Sequence, residues 1–267
     1  MLKLKFGIST SSFFNRINTE STFDIVRKMH IDTVELALTT FSEYERRFVE
    51  ALIPRKGSLD VFSIKPEGGQ FEPELFSTNA RIRADAEVFF KKVCTAGQML
   101  GARHYVFLGP VRLKKHKYEF DFVRLGDRIN QLNEIARSMD LQLTYQNAFY
   151  SYGSNPDYFK ELSKQCPHLT YAISFRHALM AGIDPIRFID AVGEKAVIIQ
   201  MCDVKKDLNS VLPGEGKYNF DKFFSEAKKR GVNAYMFLEA ISRDYRDLTQ
   251  LKTSYDFLNA LWHKSRT

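Results

Sequence analysis

The chain has 267 residues and a formal net charge of +7, and its 44% hydrophobic and 27% charged residues are typical of a globular protein. It contains no run of about 18 uninterrupted apolar residues, which excludes a membrane-spanning helix. The cysteines Cys94, Cys166 and Cys202 are widely spaced without a CxxC pair, which excludes a disulfide framework and a thiolate zinc site.

The excess of positive charge favours anionic ligands, although the basic residues are scattered along the chain. The densest basic cluster, Arg112–Lys117, is interpreted either as a loop that faces a phosphate group or as a solvated loop. The first residues, Met1–Phe6, have the pattern of a strand and not of a signal peptide, so we expect a cytoplasmic protein.

Eight short runs of β-branched and aromatic residues alternate with longer segments of helical periodicity. The runs predict strands at Leu4–Ser9, Thr33–Leu38, Leu59–Lys65, His104–Leu108, Leu141–Gln146, Leu169–Phe175, Ala196–Met201 and Ala234–Glu239. The intervening segments predict helices at Thr22–His30, Ser42–Ile53, Thr78–Leu100, Asp121–Met139, a segment after Asn155-Pro156, Pro185–Val192, Asn219–Arg230 and Asp247–Lys264. Gly101 is the expected C-cap of the third helix.

This strict alternation is typical of parallel strands joined by right-handed crossovers. Eight units favour closure of the sheet, and no GxGxxG sequence follows the first strand to indicate an open dinucleotide-binding sheet. We therefore predict an α/β fold, a (β/α)8 TIM barrel, that forms a single domain over residues 1–267.

The active sites of such barrels lie at the C-terminal ends of the strands. Polar side chains at these ends are the candidates for function, because a polar group inside an apolar run is costly unless it is paired or functional. The candidates in chain order are Ser9, Thr10, Glu35, Lys65, Gln146, Asn147, Ser174, His177, Gln200, Asp203 and Glu239.

Several segments carry a resemblance to a known family: VFSIKPE, AGQMLGARHYVFLGP, LTYQN, ISFRHALMAGIDP, IIQMCDV, LPGEGKYNF and FLEA. In this order they resemble the xylose isomerase-like TIM barrel superfamily, from about Phe6 to Glu239. That group contains sugar and sugar-phosphate isomerases and epimerases, together with the type IV apurinic endonucleases. The resemblance implies a divalent metal held by Glu, Asp, His and Glu at the ends of strands five to eight, with the two glutamates acting as bases.

The chain departs from this pattern at three of the four implied ligands. Gln146, Ser174 and Gln200 stand at the Glu, Asp and His positions, and Glu239 alone is retained. Lys65 stands at a position that is usually His, where its ammonium would repel a metal and could pair with Glu239. Hard cations favour carboxylates and transition ions favour imidazole, so we expect no cofactor.

Two alternatives to the usual chemistry remain at this stage. If manganese, magnesium or zinc does bind, its ligands would be Glu239, Gln146 and Gln200. A metal-free acid/base reaction would instead use Glu239, Lys65 or Asp203 as catalytic residues, since burial can shift the pKa of a lysine far enough for it to act as a base.

Other candidates have two interpretations each. Glu35 either binds ligand or pairs with a neighbouring Lys or Arg, and Asp203 either acts in catalysis or orients Lys205. His177 is more simply a structural, hydrogen-bonded histidine than a ligand contact. Gly214 and Gly216 form either a ligand-contacting loop or only a turn.

The leading hypothesis is a sugar or sugar-phosphate isomerase/epimerase-like protein that binds a small carbohydrate at the barrel mouth, with Glu35, Gln146, Asn147, Ser174, His177, Gln200, Gly214 and Gly216 as ligand-binding residues. The alternative is a non-catalytic ligand-binding or interaction protein on a retired isomerase barrel. A DNA-repair endonuclease is disfavoured, because a trinuclear zinc site needs many His and carboxylate ligands and the chain has six His. We expect no membrane partner and no nucleic acid, and a homo-oligomer stays open.

Overall fold

In the computed structural model, which describes residues 6–69, 71–111 and 121–264, the chain forms a closed barrel. The strands of the described part, β1 to β10, are Phe6–Ser9, Thr33–Leu38, Asp60–Pro66, His104–Phe107, Gln142–Gln146, Thr170–Ser174, Ala196–Met201, Asp203–Val204, Ser210–Val211 and Tyr235–Leu238. Eight of them are parallel and hydrogen-bonded in the closed order β1-β10-β7-β6-β5-β4-β3-β2, while β8 and β9 form a separate antiparallel hairpin. The predicted single-domain TIM barrel is confirmed.

Helices cover the outside of the barrel. The described α-helices, α1 to α9, are Thr19–Lys28, Arg46–Lys56, Ala80–Leu100, Phe122–Arg137, Pro156–Gln165, Phe175–Met180, Pro185–Val192, Phe220–Lys229 and Leu248–Lys264. Five of them begin at an Asn or Asp whose side chain accepts a hydrogen bond from the first turn, at Asn79, Asp121, Asn155, Asp184 and Asn219. Gly101 ends α3 in the left-handed conformation, as predicted.

The structure corrects several predicted boundaries. The second helix begins at Arg46, after a separate 3-10 turn at Phe41–Tyr44. Strand β6 ends at Ser174, and the next residues form the short helix α6, which the sequence patterns did not predict. The β8–β9 hairpin was also missed. The basic cluster Arg112–Lys117 and residues 1–5 of the first predicted strand lie outside the described residues.

Two hydrophobic layers fix where polar groups can lie. Inside the barrel, side chains from five strands form an apolar cluster of Phe62, Val106, Ala172, Ile198 and Phe237. A second, larger layer packs between the strands and the helices. Because successive side chains of a strand point to opposite faces, the inward-facing residues beyond this cluster meet at the C-terminal ends of the strands. Among the described residues, no helix is long and apolar enough to cross a membrane.

Candidate functional site

An ammonium held by two carboxylates lies at the centre of the barrel mouth. Lys65 Nζ, near the end of β3, is 2.6 Å from Glu239 Oε1, just after β10, and 3.0 Å from Glu35 Oε1 on β2. Lys65 and Glu239 are 8% and 5% exposed, and Glu35 is fully buried. Because water is largely excluded, these ion pairs are only weakly screened.

Glu35 is held by a complete set of hydrogen bonds. Ser9 Oγ donates to Oε1 at 2.8 Å, and Ser63 Oγ donates to Oε2 at 3.3 Å. The Gln200 side-chain amide donates to both carboxylate oxygens, at 2.9 and 3.0 Å. Of the two interpretations of Glu35, the structure therefore supports ion pairing with a barrel lysine.

The charges in this cluster fix the protonation of Lys65 and Glu239. Burial alone would lower the pKa of Lys65, but Glu239, Glu35 and Glu67 outweigh it and raise the pKa above its usual value. Burial would raise the pKa of Glu239, yet the attraction of Lys65 and Arg176 and the hydrogen bond from Lys65 lower it below its usual value. These carboxylates therefore favour the protonated form of Lys65, which opposes the role of a base that the sequence suggested for it.

Three adjacent strands end in side chains with unused hydrogen-bonding capacity. Gln146 Oε1 on β5, Ser174 Oγ on β6 and Gln200 Oε1 on β7 are buried and have no hydrogen-bond partner among the described residues. Ser174 lies directly beside Gln200 in the strand register. Buried polar atoms are nearly always paired in proteins, so this part of the mouth is suited to a ligand that brings its own polar groups.

The first turn of α6 carries two further polar side chains to the mouth. Arg176 donates to the main-chain oxygen of Glu239 at 3.2 Å, while its Nε is buried without a described partner. Arg176 was missed in the sequence, although it precedes His177 within the segment that carried the resemblance. Its position follows from the immediate transition from β6 to α6, which the predicted strand boundary obscured.

Aromatic rings pack against His177, and no described residue forms the expected hydrogen bond with its Nδ1. Its ring stacks on Phe149 at 5.6 Å between centroids and meets the edge of Tyr150 at 5.6 Å, and its Nδ1 is buried without a described partner. Burial lowers the pKa of His177 to about 4; Glu239 opposes this shift, whereas Arg176 and Lys65 add to it. His177 is therefore neutral at pH 7.

Asp203 organises a loop, and its role in catalysis or in orienting Lys205 stays a prediction. Its carboxylate accepts hydrogen bonds from four backbone amides, those of Val204, Gly214, Gly216 and Tyr218, at 2.8–3.2 Å. A Cβ atom at Gly216 would lie 2.2 Å from Asp203 Oδ1. Gly216 is thus required for the close approach of its own backbone to Asp203.

Two other predicted ligand contacts have structural partners. Asn147 joins the ends of β5 and β6: its side chain donates to the Ser174 main-chain oxygen at 3.1 Å and accepts from the Ser174 amide at 2.6 Å. Gly214 has a φ of +93°, and a Cβ there would lie 3.2 Å from the Phe257 ring. Gly214 therefore faces α9, as part of a turn.

A buried carboxyl that the sequence did not single out lies beside the mouth. Glu72, in the connection between β3 and α3, is 1% exposed and accepts hydrogen bonds from Tyr105 Oη and the Leu108 amide, both at 3.0 Å. Burial raises its pKa to about 7, although both hydrogen bonds and Lys65 act in the opposite direction. Glu72 thus fastens this connection to the end of β4.

The central side chains of the mouth form a buried, packed cluster. Several surface cavities of about 230–630 Å³ lie in the described part of the chain, away from Lys65, Gln200 and Glu239. The cavity of about 350 Å³ lies between the Gly214 turn and α9. Exposures of 0–8% at Glu35, Lys65, Gln146, Ser174, Gln200 and Glu239 agree with a closed mouth.

The donor set at the mouth does not fit the divalent metal that the resemblance implies. Glu239 is the retained ligand position, and its Oε1 is bonded to an ammonium. Gln146, Ser174 and Gln200 offer neutral oxygens only, and the described residues contain no group of three or more His, Cys, Asp or Glu side chains arranged to hold a metal. Hard cations favour carboxylates and transition ions favour imidazole, and this mouth offers neither set to a metal.

Comparison with known proteins identifies the family. Residues 23–261 match the profile of the xylose isomerase-like TIM barrel family, and the chain belongs to this family. A comparison with curated proteins found no match.

Solved structures of similar fold include several sugar epimerases. A D-tagatose 3-epimerase-like protein shares 16% identity at a TM-score of 0.79, with 98% of each chain covered. The D-psicose 3-epimerase of Clostridium cellulolyticum H10 shares 14% identity at a TM-score of 0.77, and the match covers 97% of this chain and 99% of that one. The 3-keto-D-glucoside 4-epimerase YcjR of E. coli also shares 14% identity at a TM-score of 0.77, and the match covers 97% of this chain and 100% of that one. At these identities the likeness establishes the fold.

Proposed function

We propose that the protein is a sugar isomerase/epimerase-like protein that binds a small carbohydrate at the C-terminal mouth of the barrel, without the metal-dependent two-base mechanism. The observation that carries this proposal is the row of unpartnered polar atoms on β5, β6 and β7: Gln146 Oε1, Ser174 Oγ and Gln200 Oε1. Membership of the xylose isomerase-like family supports the same class of ligand.

The chemistry of these atoms specifies what the ligand must offer. The two amide oxygens can only accept hydrogen bonds, whereas the hydroxyl of Ser174 can donate or accept. A ligand with several hydroxyl groups satisfies all three atoms, because each hydroxyl both donates and accepts. The rings of His177, Phe149 and Tyr150 border the same strand ends and supply an apolar surface for the face of a sugar.

We place the ligand between these rings and the strand ends, which requires the loop after β5 to move outward on entry. Phe149 and Tyr150 are 42% and 40% exposed, so an outward movement of this loop gives up little buried apolar surface. Lys65 would donate to a ligand oxygen through its protonated amine, and Arg176 through its unpartnered Nε. Lys65 would thereby stabilise negative charge that develops on that oxygen.

A second candidate is a non-catalytic ligand-binding protein, and the basicity of the mouth favours it. Although burial acts in the opposite direction, Lys65 and Arg176 lower the pKa of Glu239, which makes its carboxylate a weaker base. Lys65 keeps its proton, and Asp203 uses both oxygens on backbone amides. The two candidates share a ligand and differ in turnover.

Calorimetric titration of the purified protein with D-tagatose, D-psicose, D-fructose and sorbitol tests the shared claim. Ser174→Ala removes a hydroxyl that has no described protein partner, so we expect weaker binding, by about 3- to 12-fold for one hydrogen bond, at unchanged stability. Ser138→Ala, on an exposed turn, is the matched control. Failure of all four compounds to bind contradicts the proposal.

Incubation of each ketose in deuterated water separates the two candidates. Deuterium incorporation next to the carbonyl, or the appearance of the epimer or aldose, identifies an enzyme. Binding without either product identifies the non-catalytic protein.

A further inference from the structure

We propose that the cavity between the N-terminal parts of α3 and α4 binds a phosphate group, either as the free ion or as part of a small phosphomonoester. The cavity has a volume of about 630 Å³, and Arg83, Arg124 and Arg128 are among the residues that line it. It is separate from the central cluster of the mouth, and the inference does not depend on carbohydrate binding there.

The cavity lies where two helices that follow neighbouring strands run side by side. Helix α3 contributes Arg83, and α4 contributes Arg124 and Arg128. Phe76, just before α3, and Tyr152, after β5, also line the cavity. Its volume is within the range of small-molecule sites in proteins, and the two rings supply an apolar wall for the organic part of a phosphomonoester.

Arg128 is oriented by the protein while part of its guanidinium stays unused. Its Nε donates to the Leu75 main-chain oxygen at 2.8 Å, and its Nη1 lies 2.9 Å from Glu87 Oε1 and 3.5 Å from Gln131 Oε1. Its Nη2 is buried and has no hydrogen-bond partner among the described residues. A guanidinium that is already oriented loses little side-chain entropy when it binds an anion.

The other two guanidinium groups are not paired with a carboxylate of the described residues. Arg83 Nη1 donates to the main-chain oxygens of Ser77 and Thr78, at 2.7 and 3.0 Å, and these oxygens carry no full charge. Arg124 is exposed, and its guanidinium has no partner in the described part of the chain. Guanidinium groups in this condition suit phosphate, which they bind through pairs of charge-assisted hydrogen bonds.

Two carboxylates also line the cavity, and they oppose the binding of an anion. Asp121 is committed to the backbone, because it accepts a hydrogen bond from the Arg124 amide at 2.9 Å and caps α4. Asp127 is exposed and has no partner among the described residues. With three guanidinium groups against two carboxylates, the lining has a net positive charge that attracts phosphate.

The test is calorimetric titration of the purified protein with inorganic phosphate and with phenyl phosphate, neither of which is a carbohydrate. We expect one binding site per chain, with an affinity that falls as KCl is added, because salt screens the attraction. Equal affinities for the two probes would identify the phosphate group alone as the ligand. Tighter binding of phenyl phosphate would identify a phosphomonoester whose organic part packs on the aromatic wall.

Arg124→Gln is the main variant, because it removes a charge from an exposed side chain without a described partner and should leave the fold intact. We expect phosphate binding to weaken by about 5-fold or more. Asp127→Asn removes an opposing charge and should tighten binding, by about 2- to 5-fold. Arg137→Gln is the matched control, since it removes an exposed arginine from the far end of the same helix, and it should not change the affinity.

Arg83→Gln supplies a second, independent variant that should also weaken phosphate binding. A protein that binds neither probe at concentrations up to about 10 mM overturns the inference. An affinity that is the same in folded Arg124→Gln, folded Arg83→Gln and the wild-type protein also overturns it. Absence of carbohydrate binding, in contrast, would count against the proposed function and leave this inference intact.

Discussion

Lys65 Nζ and Glu239 Oε1 lie 2.6 Å apart at the centre of the barrel, although 174 residues separate them in the sequence. The pair joins the end of β3 to the end of β10. It uses the one carboxylate that the chain retains from the metal-ligand pattern of its family. The electrostatics of the mouth therefore depend on this contact.

Breaking the pair from one side should destabilise the protein strongly. Lys65→Met removes the cation and leaves Glu35 and Glu239 buried without it, so we expect a loss of about 3–5 kcal/mol in the free energy of unfolding. Addition of Glu239→Gln to this variant removes one uncompensated charge and should restore part of the loss. Urea unfolding of the two single variants and the double variant measures the coupling. Equal and additive losses would show that the pair contributes nothing.

Restoration of the family's ligands should fail while Lys65 is present. The triple variant Gln146→Glu, Ser174→Asp and Gln200→His supplies the expected side chains, but the ammonium still occupies Glu239. We expect weak Mn²⁺ binding from the triple variant and at least about tenfold tighter binding once Lys65→His is added. Calorimetric titration compares the two proteins. Tight binding by the triple variant alone would contradict the competition between lysine and metal.

Glu72 should make stability depend on pH near neutrality. Its pKa is raised from 4.5 to about 7 in the folded protein, so the ionised form is the less stable one in the fold. The contribution of Glu72 to stability is thus fully present below about pH 4.5 and is lost as the pH rises through 7. The loss is on the order of 3 kcal/mol.

Glu72→Gln should remove this dependence, because an amide stays neutral and can both accept from the Leu108 amide and donate to Tyr105. Unfolding free energies of both proteins between pH 5 and 8.5 give the comparison. We expect the variant to gain stability relative to wild type as the pH rises. Parallel curves for the two proteins would mean that Glu72 does not titrate in this range.

The Asp203 loop should be separable from the ligand site. Gly216→Ala places a Cβ 2.2 Å from Asp203 Oδ1 and should displace the loop, with faster hydrogen exchange of the Gly214, Gly216 and Tyr218 amides. Carbohydrate affinity should change by less than about threefold, since Asp203 bonds the loop and not the central cluster. A large loss of carbohydrate affinity in a folded Gly216→Ala variant would indicate that Gly216 does belong to the ligand site.

The fold could be predicted because alternation of strand and helix is a repeated, local signal. Eight strand-like runs that alternate with helical segments predict the barrel without any knowledge of which strands are hydrogen-bonded to each other. The predictions missed α6 and the β8–β9 hairpin, since both are short, and the hairpin leads into a loop held by Asp203. Such elements depend on tertiary partners that a periodicity pattern does not contain.

The candidate site was predictable in position and in the pairing of Lys65 with Glu239, but not in the pairing of Glu35. Lys65, Gln146, Gln200 and Glu239 were placed at the strand ends correctly, because parallel strands end on one side of a barrel. The sequence could not decide whether Glu35 paired with a lysine, since this requires strand register. It also suggested a lowered pKa for Lys65 from burial, whereas the three nearby carboxylates raise it.

The central claim is that the Lys65 ammonium occupies the position beside Glu239 that a metal would take. Its most direct test is anomalous diffraction at the manganese edge, from crystals of the wild-type protein soaked in manganese chloride. We predict no anomalous peak within coordination distance of Glu239, and Lys65 Nζ still in contact with its carboxylate. A peak bonded to Glu239, Gln146 and Gln200, with Lys65 turned away, would contradict the account and return the protein to the metal-dependent chemistry of its family.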